Sequence, residues 1–126
     1  MSRSLPKPTD AELNILQVLW KSGAATVKQV QENLGEATGY TTVLKFLQIM
    51  TEKGLVRRDE TLRAHVYRAT LSEEETQQQL VSGLLKRAFG GSTSKLVLQA
   101  LASKKASTRE LAEIRRLIEK LSKEQL

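Results

Sequence analysis

The sequence contains no cysteine and a single histidine, His65. The absence of thiols excludes a disulfide framework, thiolate metal sites and a cysteine nucleophile. One histidine cannot build a histidine metal cluster, nor serve a Ser-His-Asp triad and a second histidine-dependent site at once. No apolar run approaches the roughly 18 residues that a membrane-spanning helix requires. The N-terminus, Met1-Ser2-Arg3-Ser4-Leu5-Pro6, lacks the apolar stretch of a secretory signal. These absences together lead to the expectation of a soluble, cytoplasmic protein without membrane insertion. Acid–base chemistry is equally thin. Glu73, Glu74 and Glu75 are consecutive at a helix start, where carboxylates meet the helix dipole favourably. Ser92, Thr93 and Ser94 follow a Gly-Gly pair without the lysine of a phosphate-binding loop. The sequence is therefore not expected to be an enzyme, and no cofactor or metal is expected.

What the chain does have is positive charge. Its 126 residues carry 20 Lys and Arg against 14 Asp and Glu, a net charge of +6 and a pI near 9.8. Such a surplus favours an acidic partner, nucleic acid first among them. Residues 1–70 and 71–126 hold 10 basic and 7 acidic groups each, so bulk charge does not locate a binding unit. Within the first half the surplus is local. Residues 1–52 are balanced, whereas 53–70 carry Lys53, Arg57, Arg58, Arg63 and Arg68 against Asp59 and Glu60. A solvated basic hairpin with no partner would look the same from charge alone.

Four segments open with the same helix-start signal, a Ser or Thr followed three residues later by Glu or Gln: Thr9–Glu12, Thr26–Gln29, Ser72–Glu75 and Ser107–Glu110. Apolar periodicity predicts helices over about Thr9 to Trp20, Thr26 to Leu34 and Tyr40 to Lys53. The first presents Leu13, Leu16 and Trp20 with Ile15 and Leu19 beside them, the second Val27, Val30 and Leu34, the third Val43, Leu47 and Met50. Glu36 to Gly39 make the turn between the second and third. The period then changes to two, and Leu55–Asp59 and Ala64–Arg68 read as strands of a hairpin joined by Glu60 to Arg63. Helical periodicity returns from Ser72 to Phe89, around Ser94 to Ala102, and from Ser107 onward. The last helix carries Leu111, Ile114, Ile118 and Leu121 at coiled-coil-like spacing. The expected fold class is mostly α with a small β-hairpin: a winged helix-turn-helix domain over 1–70 followed by a helical dimerisation region over 71–126. The apolar faces of the second part have few partners within one chain. Leu80, Leu84, Leu96, Leu111, Ile114, Ile118 and Leu121 are the expected dimer contacts. Folding back of these helices onto the first unit is the alternative.

A short helix, a turn and a second helix followed by a hairpin match the layout of a winged helix whose second helix enters a major groove about 12 Å wide. The outer face of that helix offers Thr41, Thr42, Lys45, Gln48 and Glu52. The hydroxyls and the lysine at its N-terminal end suit bases and phosphates, and helix-start chemistry is a compatible second role for the threonines. Arg63 at the hairpin tip and Arg57 or Arg58 on its strands could reach phosphate or minor groove. The candidate DNA-binding set is Thr26, Lys28, Tyr40, Thr41, Thr42, Lys45, Arg57, Arg58 and Arg63. The same fold also serves protein assemblies, so a winged-helix adaptor without sequence-specific DNA binding remains open at this point.

The sequence also resembles the penicillinase-repressor family of winged-helix transcription factors. The resemblance is carried by Pro8-Thr9-Asp10-Ala11-Glu12-Leu13 through Val18-Leu19-Trp20, by Ala25-Thr26-Val27, and most specifically by Tyr40-Thr41-Thr42-Val43 leading to Leu47 and Lys53-Gly54-Leu55-Val56. Arg63, Val66-Tyr67, Phe89-Gly90-Gly91-Ser92 and Leu96-Val97 extend it over nearly the whole chain. It implies a homodimeric repressor of antibiotic-resistance or related genes on a palindromic double-stranded DNA operator. It further implies dimerisation through C-terminal helices and release by proteolysis there, triggered by a membrane sensor. Three departures stand out. The family's cleavable Asn-Phe pair would fall at Gln99-Ala100, the cysteine motif of the copper-responsive branch is missing, and Ile49 stands where relatives often carry a basic residue.

Overall fold

The computed structural model describes residues 6–35, 37–60, 63–103 and 105–125. Glu36 of the first expected turn, and Thr61 and Leu62 of the hairpin turn, lie outside the described residues. The elements are α1 (Asp10–Ser22), α2 (Val27–Leu34), α3 (Tyr40–Lys53), β1 (Val56–Asp59), β2 (Val66–Ala69), α4 (Glu73–Ala88), α5 (Thr93–Ser103) and α6 (Thr108–Glu124). The predicted order of elements, and a mostly α fold with one small β-hairpin, are those of the structure.

All four predicted capping boxes form. The Thr9 hydroxyl oxygen accepts from the Glu12 N–H at 3.2 Å, and the Thr9 N–H donates to Glu12 Oε1 at 2.9 Å. Thr26 with Gln29, Ser72 with Glu75 and Ser107 with Glu110 repeat this exchange at 2.9–3.2 Å. Each box satisfies backbone donors that a helix start otherwise leaves open. At the other end of α3, Gly54 adopts φ 84°, ψ 7° and its N–H reaches the Met50 and Thr51 carbonyls. The Leu55 N–H also bonds to the Met50 carbonyl, at 2.9 Å. Leu55 therefore belongs to the helix end, and the first strand starts one residue later than the alternation predicts.

The core of the N-terminal unit is built from Ile15, Leu16 and Leu19 of α1, Val27 and Val30 of α2, Val43, Leu47 and Met50 of α3, and Leu55, Val56 and Tyr67 around the hairpin. Leu13 and Trp20 sit at its margin. Trp20 is held there by its indole N–H, which donates to the Leu71 carbonyl at 3.0 Å. A half-buried indole N–H is best satisfied by such an acceptor, and the chain entering α4 supplies it.

Glu12 is 2% exposed, yet charged. Lys53 Nζ lies 2.9 Å from its Oε2 and 3.2 Å from its Oε1. One carboxylate thus closes the α1 cap and fastens the last turn of α3. Burial pushes its pKa up. The Thr9 backbone N–H and the Lys53 ammonium outweigh that and hold the carboxyl below its ordinary value of 4.5.

The hairpin pairs Val56 with Ala69, Arg57 with Arg68, Arg58 with Tyr67 and Asp59 with Val66. Val56 and Tyr67 share the core face, and Arg57 and Arg68 share the outer face. A third pairing extends the sheet. Ala25 donates to the Tyr67 carbonyl at 3.1 Å and accepts from the Tyr67 N–H at 2.8 Å.

The chain divides into two compact units, one reaching Ser82 and the other starting at Gly83. In the second unit, α5 and α6 contain no buried residue among those described. Leu84, Leu98, Leu111, Leu117, Ile118 and Leu121 are all more than 40% exposed. Ile114 and Leu96 are half-buried.

The Glu12 pair makes stability pH-dependent in one direction. A carboxyl with a lowered folded pKa contributes fully above its unfolded value, and the contribution is lost as pH falls through the folded one. Glu12→Gln should therefore cost about 1–2 kcal/mol at pH 7 and flatten the loss of stability below about pH 5. Urea unfolding midpoints of the two proteins at pH 7 and pH 4 will show whether the difference narrows in acid. A constant difference would assign the loss to packing instead.

Candidate nucleic-acid interface

The sequence of α3 leaves one face for the core and one for solvent. Val43, Leu47 and Met50 are fully buried, whereas Thr41, Thr42, Lys45, Gln48 and Glu52 are exposed. The start of this helix is built differently from the others. Its N-cap is Gly39, with no side-chain capping bond, while α1, α2, α4 and α6 carry full boxes and the Ser92 hydroxyl caps α5 through Lys95 N–H. Thr41 and Thr42 follow in the first turn of α3, and neither is its N-cap. Both are exposed beside first-turn backbone N–H groups, a combination suited to an anionic or carbonyl acceptor.

A cleft of about 420 Å³ opens between the start of α2, the start of α3 and the returning side of the hairpin. Thr26, Lys28, Tyr40 and Arg63 line it, so four of the nine predicted residues converge from three elements. His65 lines it as well, and none of its described lining residues is acidic. Thr26 has a divided role: its oxygen is committed to the α2 cap, which leaves the O–H proton to donate outward. The pairing of Ala25 with Tyr67 fixes the width of this cleft, because it joins the residue before Thr26 to the strand after His65.

The arginines on the hairpin strands separate. Arg58 shares the core-side face with Tyr67 and is ion-paired with Glu60. Burial lowers its pKa, and the Glu60 charge and the Tyr67 hydroxyl more than reverse this. Its position is thus set by the protein itself. Arg57 lies on the outer face directly opposite Arg68, and both are exposed. Like charges facing one another across a ladder are unfavourable, and Asp59, two residues from Arg57, places one carboxylate on the same face. Arg68 was not among the predicted contacts. Alternation along each strand places it outward, but its partnership with Arg57 depends on the register, which the loop conceals.

Among the described residues there is no cluster of acidic or histidine side chains able to hold a metal, and no helix long and apolar enough to cross a membrane.

Comparison with known proteins agrees with this geometry. The chain is 24% identical over 119 residues to the penicillinase repressor of Bacillus licheniformis, covering 93% of each chain. It is 20% identical to that of Staphylococcus aureus, covering 90% of this chain and 91% of the relative. In fold it is similar to the solution structure of the Bacillus licheniformis BlaI monomeric form in complex with the blaP half-operator. That match has a TM-score of 0.50 and 24% identity, over 57% of this chain and 90% of the other. A sequence model of the penicillinase repressor family matches residues 8–120, nearly the full length, and the chain belongs to that family.

Proposed function

We propose that this protein is a DNA-binding transcriptional repressor that acts as a homodimer on a palindromic operator. The observation that carries the reading is the convergence of Lys28, Tyr40 and Arg63 in a cleft without acids beside the polar outward face of α3. The similarity to a repressor solved with its half-operator supports it. In this reading the protein binds and does not catalyse. The genes it controls are resistance or related genes of the kind its relatives are named for. The winged helix within residues 1–70 takes one half-site, and the helices within 71–126 join two copies. The exposed apolar residues of α4 and α6 support the second assignment, since large apolar side chains clustered in the open favour association.

Release follows from the same layout. Joining two half-site readers raises their effective concentration and yields an avidity gain of roughly 10²–10⁴. Cutting the chain between Arg87 and Ser107 would abolish that gain while leaving the winged helix intact. Gln99 and Ala100, at the position of the family's cleavable pair, are both exposed on α5. A regulatory protease or membrane sensor is the partner this implies.

The test is a footprint of the purified protein on the segment upstream of its own gene, which should show an inverted repeat. Absence of any protected segment would favour the protein-adaptor reading. Within the repressor, Lys45, Thr41 and Thr42 read bases, and Arg63 and Arg57 hold the backbone. Lys45→Ala should cost about 1–3 kcal/mol at one operator position and relax preference there. Arg63→Ala should weaken all sequences alike and reduce the slope of log affinity against log salt by about one. The assignment fails if Arg63→Ala alters base preference while Lys45→Ala leaves it untouched.

Assembly has its own measurement. Ile114→Glu with Ile118→Glu should give a monomer with weak operator binding, seen by sedimentation and by gel shift. Wild-type protein that sediments as a monomer at micromolar concentration would remove the dimer from the proposal.

A further inference from the structure

Between the buried and the exposed faces of α3 runs a flank of i, i+4 neighbours. Thr42 stacks over Phe46, and Lys45 over Ile49. With Thr41 they line an open hollow of about 340 Å³, to which Phe46 and Ile49 contribute the apolar side chains. Phe46 packs against the core, but Ile49 is outside the core cluster and its flanking residues. Ile49 is nonetheless half-buried. A β-branched apolar residue on the outward flank of a polar helix, with no part in the core, requires a separate explanation. Cavity, charge and position agree on one. The hollow adjoins the same threonines and lysine that face outward for reading, so whatever α3 reads also meets Ile49.

We propose that Phe46 and Ile49 form a receptor for the 5-methyl group of a thymine, so that this flank of α3 specifies a T·A pair by apolar contact. The thymine methyl is the one apolar group that base pairs display in the major groove. The open hollow has room for the methyl together with the edge of the base that carries it, and the lysine and threonines of its lining suit the neighbouring base edges and phosphate. This inference rests on the DNA-binding reading above and adds the base and the contact.

The probe is the duplex that the protein protects upstream of its own gene, prepared once with thymine and once with deoxyuridine throughout. Deoxyuridine pairs identically and lacks only the methyl. Burial of one methyl per half-site should favour the thymine duplex by about fourfold, and two half-sites should multiply this to about fifteenfold. Ile49→Ala should bring the ratio of the two affinities close to one by weakening thymine binding alone. Phe46→Leu, which keeps the core filled, should reduce the ratio in part. Unchanged melting temperatures will show that the variants are folded. A wild-type ratio of one, or a ratio that Ile49→Ala leaves unchanged, overturns the inference while operator binding itself stands. Failure of wild-type protein to bind either duplex would instead bring down the DNA reading and this inference with it.

Discussion

A two-stranded hairpin has little stability by itself, and the wing of this protein is secured by a third backbone partner. The exchange of hydrogen bonds between Ala25 and Tyr67 makes a turn residue into the third member of the sheet. Tyr67, 1% exposed, then drives its ring into the core under the same strand. Two separate parts of the chain are thereby placed at a fixed separation. The cleft between α2, α3 and the hairpin exists because of that separation, and so does the meeting of Lys28 with Arg63. Preorganisation of this kind removes the ordering cost that a free hairpin would impose on binding.

The second fastening is ionic. Buried ion pairs contribute little net stability when their desolvation is uncompensated. Glu12 avoids that outcome by accepting from the Thr9 N–H as well as from Lys53, which stays one-third exposed to water. Lys53 is the last residue of α3, so the far end of the helix is anchored to the start of α1. The near end carries no side-chain cap at all. The helix is therefore held firmly where it faces the protein and left chemically open where it faces outward.

Local chemistry was legible in the sequence and long-range pairing was not. The capping boxes need only residues three apart, so Thr9, Thr26, Ser72 and Ser107 announced themselves. Alternation found both strands, but not their ends. Leu55 is claimed by the α3 terminus, Ala64 and His65 fall in the hairpin turn, and Ala69 pairs with Val56. Glu12 was readable as a cap and not as the partner of Lys53, 41 residues away. Of the candidate site, Thr41, Thr42 and Lys45 followed from helix periodicity. The convergence of Thr26, Lys28, Tyr40 and Arg63 depends on the Ala25–Tyr67 pairing, and no periodicity encodes that. Arg58 and Arg57 looked equivalent, and only the register separates an arginine tied to Glu60 from one that faces Arg68.

That last juxtaposition has a thermodynamic consequence. Arg57 and Arg68 share the outer face of the strands with a single carboxylate, that of Asp59, so this face of the wing carries net positive charge. By linkage, any polyanion that settles on this face raises the stability of the folded state as it binds. Heat tolerance and occupancy of the wing thus become two readings of one electrostatic imbalance.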